Sequence, residues 1–334
     1  MVELPPLRYL SHDDVVASMP SLAERLDLAE ITLRGLAGPA ELPAKIAVHP
    51  HPAGSFAHAM PAFLPGARED GSMDRLGVKW VLGYPTNVAA GLPSISGLLL
   101  LNDPRTGMAT AILDAVAITA ERTAAVSGVA MRAWAAPVDP DRPRVAVIGA
   151  GVQGHSHLAM IGHVLPGADL RVFDRDPDRA GALAEAARRT PGIAAAVVAS
   201  SARDAVEGAD VVVSAVSFAP PAERQAMTND WLAAHALVVP VDYATYCAAE
   251  VARGAALFVT DHRGQFLANL EAGQFDGYPE PHAMIGERLD LTGPARPAGR
   301  ILATHLGTGL ADVVFGIAIA EAAARLGLGT VLAR

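Results

Sequence analysis

Arg144-Val145-Ala146-Val147-Ile148 runs directly into Gly149-Ala150-Gly151-Val152-Gln153-Gly154, and Leu158, Ile161 and Val164 follow at helical spacing. An unbroken apolar run of this length reads as a strand covered on both faces. A G-x-G-x-x-G pattern means little alone, but between a strand and a helix each glycine has a task. The first permits a tight turn, the second lets backbone approach a pyrophosphate, and the third lets helix pack closely on strand. The helix that opens there offers unpaired N–H groups and the positive end of its dipole to phosphate. Asp174 closes the next apolar run, residues 170–174, about 20 residues beyond Gly154, where an acid accepts hydrogen bonds from an adenosine ribose. A carboxylate there repels a 2′-phosphate, which favours NAD(H). Arg175 and Arg179 beside it keep NADP(H) possible.

Outward from this motif, residues 195–199, 211–215, 237–241 and 257–260 are further continuous apolar runs, separated by alanine-rich helical stretches such as 178–189. With 144–148 and 170–174 they make six strands, and strands alternating with helices predict an α/β Rossmann fold, a doubly wound parallel sheet. The preceding residues have another texture. Segments 32–36, 45–49, 55–63, 77–82, 97–102 and 108–113 read as strands with short connections, and the turn cluster 102–107 predicts a hairpin. This is the expected smaller α+β domain, with an antiparallel sheet. Residues 115–135 read as one long helix ended by Pro137, the proline-rich stretch 137–143 as a linker, and residues 310–326 as a last helix.

The length of 334 residues suits about two domains. Net charge is −9, and no stripe of Lys and Arg suggests nucleic acid as a partner. A single cysteine, Cys247, excludes an intrachain disulfide and a cysteine-rich metal site, and fits a reducing cytoplasm. The opening residues lack a basic segment followed by a long apolar one, and the apolar run 97–101 is too short to span a bilayer, so neither a signal peptide nor a membrane is expected. His49, His51 and His58 lack the H-E-x-x-H frame and a neighbouring carboxylate, so no metal is expected. His155 and His157 read as ordinary helix residues, Cys247 as a small packing residue, and Asp312 as a capping or pairing residue.

Lys79 sits on an apolar strand, where a lysine either serves a ligand or snorkels to the surface. Asp242 follows the fifth expected strand of the parallel sheet, at the edge where such sheets bind ligands. A lone aspartate there also serves as a cap or turn residue. Arg122 is expected early in its helix, where a cation opposes the dipole unless an anion answers it. Its planar fork matches a carboxylate.

Gly77-Val78-Lys79-Trp80-Val81 with Asn87, residues 103–107 leading to Ile118-Thr119-Ala120-Glu121-Arg122-Thr123-Ala124-Ala125, the 149–154 turn with Gln153, Val241-Asp242 followed by Glu250, and residues 307–312 all resemble the ornithine cyclodeaminase/μ-crystallin family. The resemblance runs through nearly the whole chain. It implies a homodimer, with residues 1–118 and 312–334 as the substrate-binding and dimerisation domain and 119–311 as the Rossmann domain. It also implies a substrate carboxylate held by Lys79 and Arg122, with Asp242 as acid/base and Lys79 counted with it as catalytic. Cofactor contacts are expected at Ser94, Arg122, Thr123, Gly149, Gly151, Val152, Gln153, Gly154, Asp174, Arg175, Ser217 and His305. Lys45, His58 and Leu306 are expected to shape the substrate pocket.

The chain departs from the family's cyclodeaminases at four positions. Lys45 stands for an arginine, His58 for an acid suited to a second amino group, Tyr246 for a lysine and His305 for a serine. The carboxylate clamp remains while the ornithine-specific features do not. The expectation is an NAD(P)H-dependent imine (ketimine) reductase or amino-acid dehydrogenase, moving a hydride at Cα of a small α-imino or α-amino acid. Lys45 and His58 would welcome a second carboxylate, as in iminosuccinate. The alternatives are an ornithine- or lysine-type cyclodeaminase that recycles NAD and releases ammonia, and a non-catalytic NADP- and ligand-binding protein like μ-crystallin.

Overall fold

A computed structural model describes residues 4–289 and 296–333. The chain divides into two compact units. One comprises Met1–Arg122 with Gly307–Arg334, the other Thr123–Leu306. The expected boundaries, 118/119 and 311/312, fall a few residues to either side, and the first observed boundary lies inside a helix.

The first unit opens with β1 (Leu7–Leu10), α1 (His12–Ala17) and α2 (Leu22–Leu36). Strands β2 (Ile46–Val48), β3 (Phe56–Leu64), β4 (Arg75–Gly83), β5 (Ile95–Asn102) and β6 (Ala109–Asp114) follow, and α3 (Val116–Trp134) begins. The second unit contains β7 (Arg144–Ile148), α4 (Val152–Val164), β8 (Ala168–Phe173), α5 (Pro177–Arg188), β9 (Ile193–Val198), α6 (Ala202–Val206) and β10 (Val211–Ser214). It continues with β11 (Leu237–Pro240), α7 (Ala249–Arg253), β12 (Leu257–Thr260), α8 (Arg263–Glu271), β13 (Ala283–Met284) and β14 (Ile301–Thr304). The chain then returns to the first unit through α9 (Gly309–Leu326) and β15 (Thr330–Leu332).

The second unit is a doubly wound Rossmann sheet. Its strands are parallel in the order β13-β12-β14-β11-β10-β7-β8-β9. The order reverses between β7 and β10, which makes the gap outside their carboxyl ends the switch point where such sheets bind ligands. All six expected strands are present. Two were not expected: the two-residue β13, and β14, whose Ile301-Leu302-Ala303-Thr304 inserts between β11 and β12.

In the first unit the order is β15-β1-β6-β5-β4-β3-β2. This sheet is mixed rather than antiparallel, because β1 pairs with β6 in parallel and reaches it only after two α-helices, one 3-10 helix and four strands. The strand expected at 32–36 is instead the last turn of α2. A capping box of Ser21 with Glu24 starts that helix, and Leu26, Ala29, Leu33 and Leu36 bury one face at helical spacing. A five-residue window is too short to show that period. Helix α9 packs across β3, β4 and β5. The register places Ile46, Trp80 and Leu98 together on one face of this sheet, all three exposed. Among the described residues no helix is long and apolar enough to cross a membrane.

Candidate active site

The sequence-expected residues collect in two places, one in each unit. In the Rossmann unit, Gly149 turns the chain after β7 with φ +102°. A Cβ on Gly149 would collide with the Ala215 carbonyl, and one on Gly154 with the Gly149 carbonyl. These two glycines are explained by packing. Gly151 is not, since among the described residues a Cβ there would meet no atom within 4 Å. The space beside it is open, as the close approach of a phosphate requires. Gly151 is also the N-cap of α4 and supplies no capping side chain, so the first-turn N–H groups of Val152, Gln153 and Gly154 face this space uncapped. These features fit a dinucleotide pyrophosphate.

Asp174 follows β8. Its Oδ2 accepts from the Ala150 N–H at 2.7 Å and its Oδ1 from the Asp176 N–H at 2.9 Å. It braces the glycine turn, and each carboxylate oxygen keeps a lone pair for a ribose hydroxyl. Arg175 is exposed next to it, 3.8 Å from Glu223. Ser217 is exposed in the loop after β10. Thr123, buried on α3, Leu306 and His305 are in this unit as well, whereas Ser94 lies in the β4–β5 connection of the other.

Asp242 follows β11 at its carboxyl end and is buried. The Val216 N–H donates to its Oδ2 at 3.0 Å and the Ser214 hydroxyl to its Oδ1 at 3.3 Å. Burial pushes its carboxyl up to about 7, against the opposing pull of those two donors. A carboxyl that changes protonation near neutrality is suited to general acid/base work. Burial also raises Tyr246 to about 12, and the Cys247 thiol to about 12, so Cys247 is no nucleophile at neutral pH. Leu306 is held by its backbone: its N–H donates to Asp261 Oδ2 at 3.1 Å and its carbonyl accepts from the Tyr243 hydroxyl at 3.3 Å.

The second place is in the first unit. Lys79 lies mid-β4, only 1% exposed, with its Nζ 3.0 Å from both carboxylate oxygens of Asp312. The hydrogen-bonding geometry favours Oδ1, leaving Oδ2 with ion-pair contact but no hydrogen bond. Arg122 Nε sits 3.2 Å from the same Oδ1, and Thr119 Oγ1 accepts from Lys79 at 3.0 Å. Two buried cations thus share one buried carboxylate. Burial pulls the Lys79 ammonium down to about 8, with Arg122 and Lys45 pushing the same way and Asp312 holding it up. Arg122 is not early in its helix. It is the seventh residue of α3, past the first turn in which the dipole is felt, and Asp312 answers its charge.

His58 is across the sheet from Val81, on the same face as Lys79, and stacks on Phe56 with ring centroids 4.6 Å apart. Burial first, then Lys45, His49 and Lys79, press it down to about 4. It therefore offers hydrogen bonds rather than charge at neutral pH. Lys45 immediately precedes β2 and is the charged member of that pair. No group of His, Cys, Asp or Glu among the described residues is arranged to hold a metal.

Two residues were not anticipated. Ser127 on α3 bonds to His305 Nε2, and His157 on α4, read as an ordinary helix residue, bonds to the same hydroxyl, both at 2.8 Å. The only signal for His157 was its place on the apolar face of α4. Partners from α3 and the end of β14 are invisible at that spacing.

Comparison with known proteins gives three kinds of likeness. The family model described as "Ornithine cyclodeaminase/mu-crystallin family" matches residues 11–263. The nodulation efficiency protein NfeD of Rhizobium meliloti is 36% identical over 335 residues, covering 98% of each chain. Among solved structures, the Δ1-pyrroline-2-carboxylate reductase of Thermococcus litoralis, in complex with NADH and L-proline, superposes with a TM-score of 0.81 at 26% identity, over 97% of this chain and 99% of that one. A lysine cyclodeaminase, described in its recognition of L-lysine, L-ornithine and L-2,4-diaminobutyric acid, does so with a TM-score of 0.81 at 25% identity, over 98% and 96%.

Proposed function

The chain belongs to the ornithine cyclodeaminase/mu-crystallin family, and on that footing we propose that it is a nicotinamide-dependent imine reductase or amino-acid dehydrogenase acting at the C–N bond of a small α-imino or α-amino acid. The observation that carries this reading is Asp242: a buried carboxyl, held near neutrality, on the ligand-binding edge of a doubly wound sheet with an open glycine turn. NAD(H) is the cofactor, as in the Thermococcus enzyme. Asp174 favours it over the phosphorylated form.

Lys79 and Arg122 hold the substrate α-carboxylate, so that much of the rate gain is orientation. When bound, the reduced nicotinamide supplies a hydride to Cα. Asp242, protonated, supplies the proton that the substrate nitrogen requires, and in the reverse direction takes it back. Lys45 and the neutral His58 shape the side-chain end, with Lys45 offering charge to a second carboxylate.

A second reading, a cyclodeaminase, is favoured by the likeness to the lysine enzyme. The absence of an acid at His58, where a second amino group would need one, argues for the reductase. The test is NADH and NADPH oxidation with 2-oxo mono- and dicarboxylic acids plus ammonium or methylamine and with cyclic imino acids, beside ammonia release from L-ornithine and L-lysine. Stoichiometric NADH loss with an imine is expected. Ammonia release without net cofactor change would replace the reductase by the cyclodeaminase, and tight NADH binding without any turnover would leave a ligand-binding protein.

The functional form is a homodimer built on the open face of the smaller sheet. Ile46, Trp80 and Leu98 lie there, 60%, 42% and 46% exposed, on one side of a sheet whose other side α9 covers. An apolar sheet face of this kind matches a second copy of itself. Trp80→Asp with Leu98→Asp is expected to convert a dimer to a monomer in light-scattering chromatography. An unchanged mass would place the contact elsewhere.

A further inference from the structure

Ser127, His157 and His305 come from three elements of the Rossmann unit, α3, α4 and the residue after β14, and all three are buried. We propose that Ser127 and His157 are positioning residues for His305, joined to it in a one-directional hydrogen-bond relay that sets which ring nitrogen of His305 carries the proton and ties that ring to the first turn of the dinucleotide helix. The three hydrogen bonds are geometric, and their direction follows from them together with the uncharged state of the buried His157 ring. Its service to nicotinamide binding rests on the reading above.

The direction follows from donors and acceptors taken in turn. His157 Nδ1 lies 2.6 Å from the Gln153 carbonyl, which can only accept, so Nδ1 carries a proton. Burial pulls His157 down to about 4, so at neutral pH the ring is uncharged and its Nε2 is a bare acceptor. Ser127 Oγ, 2.8 Å from that nitrogen, therefore donates its proton to it. Having given its single proton, Ser127 can only accept from its other neighbour, His305 Nε2, also at 2.8 Å. His305 is thus the Nε2–H donor, and in its neutral form Nδ1 is the nitrogen with the lone pair. With the His157 ring uncharged, no link can be reversed without placing two protons or two lone pairs face to face in a buried site.

The consequence is a coupling between two points of the ligand-binding edge. One end of the relay is the carbonyl of Gln153, in the turn whose N–H groups face the phosphate space. The other is His305, at the carboxyl end of β14 and one residue before Leu306, which Asp261 and Tyr243 hold. A side chain there with a rotating hydroxyl could present either a donor or an acceptor. A histidine locked by Ser127 presents one defined state, so the geometry of the glycine turn and the hydrogen-bonding character of His305 cannot vary independently.

The test is long-range ¹H–¹⁵N NMR of ¹⁵N-histidine-labelled protein between pH 6 and 8, assigned with His157→Asn and His305→Asn, together with NADH affinity by fluorescence titration. In the unmutated protein His157 is expected in the Nδ1–H form throughout and neutral His305 in the Nε2–H form. Ser127→Ala should turn His305 into a tautomer mixture and weaken NADH binding about tenfold. Ser127→Thr, which keeps the hydroxyl, should restore both to within about twofold. A wild-type His305 carrying its proton on Nδ1 overturns the relay and needs no variant to be seen. Altered tautomers with unchanged NADH affinity in Ser127→Ala overturn the positioning role. Should the wild-type protein not bind NADH, the functional reading fails while the tautomers still decide the relay.

Discussion

Asp242→Asn is expected to lower kcat by about two to four orders of magnitude, the usual contribution of a positioned acid/base group, while NADH binds as before. The amide can keep the local bonds, with its oxygen accepting from the Val216 N–H and its nitrogen donating to the Ser214 hydroxyl. The wild-type pH dependence carries a sign. In the proposed reductase the protonated carboxyl is the proton donor, so reductive kcat is expected to fall as pH rises through about 7, and the oxidative rate to rise over the same interval. Stability obeys the same shift. A carboxyl whose pKa is higher in the folded state than the ordinary 3.8 stabilises the fold at low pH, and that contribution fades as pH climbs through about 7. At pH 8 the asparagine variant should therefore unfold at or above the wild-type temperature. Full turnover in Asp242→Asn would remove Asp242 from the chemistry. A large loss of thermal stability at pH 8 would make its role structural.

Asp312→Asn is expected to be the most destabilising of the site substitutions, by about 3–5 kcal/mol at pH 7, because it takes from the buried Lys79 and Arg122 the carboxylate they share. The deficit should shrink on the alkaline side. Lys79 already titrates near 8 in the folded protein, below its ordinary 10.5, so its protonated form weighs against folding, and that burden lifts as pH rises through the folded value. Losing the aspartate lowers that value further, so recovery begins below pH 8. Urea unfolding at pH 7 and pH 9 measures both effects. Equal stability of variant and wild type at pH 7 would mean that the three-residue cluster contributes nothing to the fold.

Most of the Rossmann unit was legible because each strand is a continuous apolar run bounded by turn residues, and the glycine turn announces strand and helix together. β14 was missed because four residues after a proline-rich stretch carry no periodicity, and only pairing with β11 and β12 makes them a strand. The end of α2 was misread for a related reason. Leu33 and Leu36 reveal a helix only in the company of Leu26 and Ala29, which lie outside a short window.

The sequence by itself determined the strand, glycine turn and helix with an acid after the second strand of the parallel sheet, and the family resemblance singled out Lys79, Arg122 and Asp242. The glycine turn and its acid are local patterns, and local spacing dictates them. Only the tertiary structure decided how the residues are held. Asp312 answers Lys79 and Arg122 from 233 and 190 positions away, and Ser127 links histidines that lie 30 and 178 positions from it. Burial moves Asp242 up and Lys79 down toward neutrality, and its depth at these two side chains is a property of the packed fold, which the apolar run around Lys79 only foreshadows.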